Sequence, residues 1–141
     1  MWSREAGAWT SAAPEQVWRR WTDVSRWSDW DASLRSSVLH GPFVVGARGE
    51  LQPVSGPRAS FILTEVVPQR AFSNRMQLPL ATVDFIHTLE PDPSGRARIT
   101  HRIVINGLLG PLFVRLMGRD AAETLPAAVA ALAQQAEGAP S

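Results

Sequence analysis

His87 and His101 are the side chains in this sequence best suited to chemistry. An imidazole with an ordinary pKa of about 6.5 can accept or donate a proton at neutral pH, ligate a metal or hydrogen-bond a ligand. The two lie on neighbouring segments, residues 81–90 and 97–106, separated by the turn-forming residues from Pro91 to Gly95, so they read as one hairpin. Setting Glu90 against Arg98, Thr88 against Thr100, Leu89 against Ile99 and Phe85 against Ile103 joins opposite charges and matches apolar with apolar. The same register places His87 directly opposite His101. A one-residue slip would turn Phe85 and Leu89 onto the face of Arg98 and Arg102, whereas a two-residue slip keeps the faces, so parity is firmer than register. Phe85, His87, Leu89, Ile99, His101, Ile103 and Ile105 share the apolar face, and Asp84, Glu90 and Arg102 take the other.

A facing histidine pair ligates a metal stably only with a third protein ligand, and Asp84 and Glu90 are on the wrong face, so no metal is expected. Two readings remain. In one, the pair is structural, bonded to each other or to backbone; in the other it hydrogen-bonds a ligand or moves a proton. Facing imidazolium groups in an apolar setting repel and lose hydration, so both are expected neutral at pH 7, with full protonation delayed to lower pH. Other chemistries lack their residues. There is no cysteine and no tyrosine, and all fourteen basic residues are arginine, which excludes thiolates, a tyrosine general acid and Schiff-base or P-loop lysines. Serine occurs in no Gly-x-Ser-x-Gly context, and no Walker or Rossmann glycine pattern supports a nucleotide cofactor; no cofactor is expected. Asp120 stays open between a buried position on a helix stripe, where it needs a partner, and the start of a second helical segment, where Asp120 and Glu123 form a capping box. Asp84 and Arg102 read as a solvent-facing diagonal pair.

The elements that position the pair follow from hydrophobic period. Residues 2–10 alternate loosely as a first strand. Pro14 opens a helix with Val17, Trp18 and Trp21 at helical spacing, Asp23 closes it, and residues 25–30 form a second short turn. All six tryptophans lie within residues 2–30. Their cluster reads as core packing, or in a sharper version it makes Trp27 or Trp30 a pocket wall. From Leu34 onward short segments punctuated by Gly and Pro imply an antiparallel meander with strands at 34–39, 47–53, 58–67, 71–78, 81–90 and 97–106. Residues 107–138 then read as one long amphipathic helix, with Pro111 near its start and Gly138 at its end. The proposed buried stripe runs Leu109, Leu112, Phe113, Leu116 and Asp120, and resumes after Pro126 at Ala128, Val129, Leu132 and Ala136. Pro126 predicts a kink, or two segments joined near Gly118.

The chain of 141 residues is expected to form a single domain, residues 1–141. Fourteen Arg against thirteen acids leave a net charge of +1, scattered rather than clustered, so a nucleic-acid partner is not expected. No apolar run reaches the roughly 18 residues of a membrane span and no secretory pattern follows Met1, so the expected location is the cytoplasm, without stable membrane insertion. Oligomeric state is not legible.

The first strand, the Ala-Pro-Glu-Gln-Val-Trp start of a helix at residues 13–18, and the run Asp23, Trp27, Trp30, Asp31 resemble the opening of START-related (SRPBCC) proteins. Thr100-His101-Arg102, Gly107, Gly110-Pro111-Leu112 and the Ala-Leu-rich ending are similar to the small bacterial polyketide cyclase/dehydrase-like group of that superfamily. The resemblance covers essentially the whole chain. It implies an α+β helix-grip fold, in which about seven antiparallel strands curve around a long C-terminal helix and leave a hydrophobic cavity. Parity and the helix stripe would line such a cavity with Phe85, His87, Ile99, His101 and Ile103, with Phe61, Phe72 and Met76 from earlier strands, Trp30, and Leu112, Phe113 and Leu116 from the helix. The implied partner is a hydrophobic, lipid- or polyketide-like small molecule. Carriage or sensing of it is the first functional class, cyclase or dehydratase chemistry the second, and protein binding a third.

Overall fold

The computed structural model describes residues 1–138. Strand β1 (Trp2–Thr10) leads into helix α1 (Pro14–Thr22) and a 3-10 segment (Val24–Asp29), followed by β2 (Leu34–His40), β3 (Arg48–Pro53), β4 (Ala59–Val67), β5 (Ala71–Leu78), β6 (Ala81–Pro91), β7 (Ala97–Asn106) and helix α2 (Gly110–Gly138). The strands form one antiparallel sheet in the order β1-β7-β6-β5-β4-β3-β2, so the meander is closed at one edge by the first strand. Irregular register between Leu34 and Ser36 and between Leu63 and Glu65 marks bulges, the device by which a sheet bends. The architecture is the expected α+β helix grip.

The β6–β7 register is the one drawn from side-chain pairing: Glu90 opposes Arg98, Leu89 opposes Ile99, His87 opposes His101 and Phe85 opposes Ile103. Asp84 does not pair with Arg102. Its direct cross-strand neighbour on β5 is Arg75, whose guanidinium donates to it at 2.8 Å, a nearer partner than any diagonal one.

The core gathers on the concave face, where Trp21, Phe72, Leu63, Leu89, Ile99, Ile103 and Leu132 are fully buried. Trp21 meets Phe72 edge-on at 5.4 Å, and the Trp27 indole N–H donates to the Trp21 carbonyl at 2.8 Å, which joins the 3-10 segment to α1. Ser37 Oγ–H donates to the Val24 carbonyl at 2.5 Å and fastens that segment to β2. Gly107 turns the chain from β7 into α2 at a φ of +111°, where an added Cβ would strike Leu80 and Ala81.

Helix α2 is a single element, without a break near Gly118. Pro126 lies on its exposed side, where water can replace the backbone bond that proline removes. Packing over β1 and β7 is carried by Gly118, Ala128, Val129, Leu132, Ala133 and Ala136, with Val114, Met117, Ala121 and Leu125 half-buried between. The stripe expected for the first half is therefore displaced. Leu112 is 47% and Leu116 66% exposed, and Asp120 is also exposed, neither capping a segment nor buried. Small residues are what this contact requires: a Cβ on Gly118 would sit 3.3 Å from the Trp2 ring, so a leucine-bearing face cannot approach β1 as closely. The far end of α2 is tied down by polar bonds. Thr10 Oγ donates to the Ala133 carbonyl at 3.0 Å, Arg20 to the Gln135 carbonyl at 3.2 Å, and Gln135 Nε2 to the Asp29 carbonyl at 2.7 Å.

This division of the helix has a direct test by chemical denaturation. Leu132→Ala should lower unfolding free energy by about 2–5 kcal/mol, while Leu116→Ala should stay within about 0.5 kcal/mol of the parent chain. Similar losses in both would place the buried face of α2 wrongly.

Candidate functional site

On the inner face, β5 presents Phe72, Asn74 and Met76, β6 presents Phe85 and His87, and β7 presents His101 and Ile103, in register across three strands. The rings of His87 and His101 are 4.6 Å apart and nearly perpendicular, at 77°. His87 also lies flat on Phe72, with centroids 3.9 Å apart and planes 4° apart.

The hydrogen bonds assign both tautomers. His87 Nδ1 lies 3.2 Å from the Phe72 carbonyl, and a carbonyl only accepts, so Nδ1 carries the proton and Nε2 keeps its lone pair. The Trp21 indole N–H only donates, and it points at His101 Nε2 at 3.3 Å, so that nitrogen holds the lone pair and Nδ1 the proton. Both rings are thus neutral. Burial is the main cause, pushing His87 down to about 3 against the opposing pull of the Phe72 carbonyl. Burial likewise holds His101 well below its ordinary value, helped by repulsion from His87. Among the described residues, His87 Nε2 and His101 Nδ1–H have no protein hydrogen-bond partner.

A half-enclosed cavity of about 110 Å³ adjoins this pair. His87, His101, Phe85, Ile103 and Trp30 line it. Phe61, Phe72 and Met76 are buried but do not line it; Phe72 stacks on His87, and Phe61 packs against Trp27 at 5.5 Å. Phe113 packs half-buried elsewhere in the core, and exposed Leu116 does not reach the cavity. The helical wall is instead Ala121, Thr124, Leu125 and Ala128, from the middle of α2. Trp27, Leu34 and Leu51 complete the apolar lining.

Asn74 is a buried polar lining residue that the sequence reading missed. It is 2% exposed, and its Oδ1 has no hydrogen-bond partner; the Trp30 indole N–H, in a residue 6% exposed, is equally unpaired. The signal for Asn74 was available: it stands midway between Phe72 and Met76, so the period-two step that turns those two inward turns it inward too. A second hollow, about 280 Å³, lies between Trp2 and the start of α2, and among the described residues no ionisable side chain lines it. Among the described residues no three His, Asp or Glu side chains group closely enough to hold a metal ion.

A curved antiparallel sheet gripping a C-terminal helix, with a mostly apolar cavity and a few inward polar groups, defines a helix-grip protein with an internal pocket. The chain belongs to the family described as polyketide cyclase / dehydrase and lipid transport, which matches residues 9–137. No curated protein matches it at the sequence level. Among solved structures it is similar to a Mesorhizobium loti protein at 22% identity and a TM-score of 0.73, covering 94% of this chain and 95% of that one. It is also similar to norcoclaurine synthase from Thalictrum flavum at 13% identity and a TM-score of 0.74, covering 98% and 94%. The di-domain ARO/CYC protein BexL of the BE-7585A biosynthetic pathway aligns at 14% identity and a TM-score of 0.72, over 95% of this chain and 46% of that one. At these identities the likeness is one of fold.

The buried neutral histidines set a pH dependence of stability. Their folded-state pKa values lie below the ordinary 6.5, so on acidification the unfolded chain takes up protons first. Stability is complete above about pH 6.5 and falls below it, by up to about 1.4 kcal/mol per pH unit for each histidine. Urea titrations at pH 7.5, 6 and 5 should show this fall, with a shallower slope in His87→Phe. A parent chain equally stable across that window would contradict the burial of the pair.

Proposed function

We propose that this chain binds a small, predominantly apolar molecule in the cavity between the sheet, Trp27 and Trp30, and the middle of α2. The observation that carries the reading is the cavity itself, walled by Phe85, Ile103, Leu51 and Leu125, with the two imidazoles at one side. Apolar walls with a few converging polar groups are the usual makeup of a small-molecule site. The family description, which names polyketides and lipids, supports the same reading. Volume narrows it. Pockets for drug-sized ligands span roughly 300–1,000 Å³, so a cavity of about 110 Å³ admits one ring or a short branched chain, not a long acyl tail or a multi-ring polyketide, without moving its walls.

Carriage or sensing is favoured over cyclase or dehydratase chemistry by the histidines. A general base works best with a pKa near the operating pH, and His87 is pushed to about 3. Such an imidazole is a weak proton acceptor at pH 7 but a good neutral hydrogen-bond partner. Among the described residues no helix is long and apolar enough to cross a membrane.

Tryptophan emission and melting temperature, followed during titration with monocyclic aromatics, short-chain alcohols, fatty acids and sterols, test the proposal. The smaller classes should bind saturably, and Ala128→Leu, which fills the cavity, should abolish that binding while leaving the circular dichroism spectrum unchanged. Binding that survives in Ala128→Leu, or that is absent for every class, would overturn it.

A further inference from the structure

We infer that the end of the molecule where α2 begins is a docking surface for an anionic lipid membrane, with Leu108, Leu112 and Leu116 as its apolar contacts and Arg115 and Arg119 as its cationic ones. The inference goes beyond the cavity and does not depend on it. Leu108 is 79% exposed, Leu112 47% and Leu116 66%. Their spacing of four residues sets Leu112 and Leu116 in one row on α2, which Leu108 extends into the turn before it. Leu80, 63% exposed, adjoins the row, because its carbonyl accepts from the Leu109 N–H at 3.0 Å. Its φ is +52°, where glycine or asparagine fits and leucine is strained, so the turn itself does not call for that side chain. Leu112 and Leu116 likewise add little to the fold, since folding leaves them in water. A contiguous exposed apolar patch of this kind marks an interaction surface.

Charge selects the partner. Residues 106–119 include two arginines and no acid. Arg4, its guanidinium 4.9 Å over the Trp2 ring, adds a third positive charge beside α2, because Trp2 lies against Gly118; Glu5 next to it turns to the other face of β1. On α2 the acids begin with Asp120 and Glu123, one and two turns beyond Leu116. The bond of Glu123 to Arg119, at 3.4 Å, joins two exposed groups and is too weak to hold that arginine back. An anionic lipid surface answers both features at once: leucines enter the boundary between headgroups and acyl chains, and arginines pair with phosphate. A second copy answers only the first. Antiparallel pairing of two such helices about Leu112 would set Arg115 and Arg119 against residues 105–109 of the other copy, which hold no acid. A partner protein would be read through hydrogen bonds, roughly one per 100–200 Å² of interface, and between Leu108 and Leu116 only the Arg115 side chain can make them.

Co-sedimentation of the full chain with vesicles of phosphatidylcholine alone, and of phosphatidylcholine with one-third phosphatidylglycerol, tests the surface. Binding to the anionic vesicles should be at least about fivefold tighter than to the neutral ones, and high salt should weaken it. Leu112→Gln together with Leu116→Gln should weaken it at least about tenfold by removing two leucines from lipid contact, and Arg115→Gln about fivefold. Glutamine is a good helix former and both leucines face solvent, so the melting temperature of the double variant should stay near that of the parent chain. Val45→Gln, at a similarly exposed valine in the β2–β3 loop, should bind as the parent does. No binding to the anionic vesicles, equal binding by the double leucine variant, or an equal loss in Val45→Gln would overturn the inference. So would light scattering that finds a dimer which the double leucine variant dissociates, since the row would then join two copies of the chain.

Discussion

The bond from the Trp21 indole to His101 couples the aromatic core to the histidine pair. It joins α1 to the sheet through a contact buried on both sides, and because indole can only donate, it leaves His101 a single protonation state. His87, directly opposite, cannot then share charge with it, and stacks on Phe72 as a neutral ring. A protonated pair in this setting would face desolvation and mutual repulsion together, so the aromatic core and the neutral histidines require each other.

Around that bond the packing is uneven. The second half of α2 is locked by Val129, Leu132 and Ala136 and by the polar bonds of Thr10 and Gln135. The first half touches β1 through Gly118 and leaves Leu112 and Leu116 to solvent. Between them, Ala121 and Ala128 are too small to fill the space over β5 to β7, and the cavity is what remains. Two residues that line it, Trp30 and Asn74, carry buried polar atoms without a hydrogen-bond partner, which lowers stability.

By itself the sequence determined the order and type of the elements, the inward parity of β5 to β7 and the His87–His101 register. These are consequences of short-range physics: a period of two, turn residues at set points, and a hairpin whose strands select each other by charge and shape over a few residues. Asn74 was legible by the same rule, from its place between Phe72 and Met76. The tertiary structure alone decided which face of α2 is buried, because that depends on how closely Gly118 can approach Trp2 from the other end of the chain, and there a small residue outweighs a more hydrophobic one. It alone decided that Asp84 meets Arg75, that Trp21 reaches His101, and that Trp30 and Asn74 find no partner. Whether a buried polar atom is paired, and whether the space beside it is filled, depends on side chains from several distant elements at once, which no local pattern in the chain records.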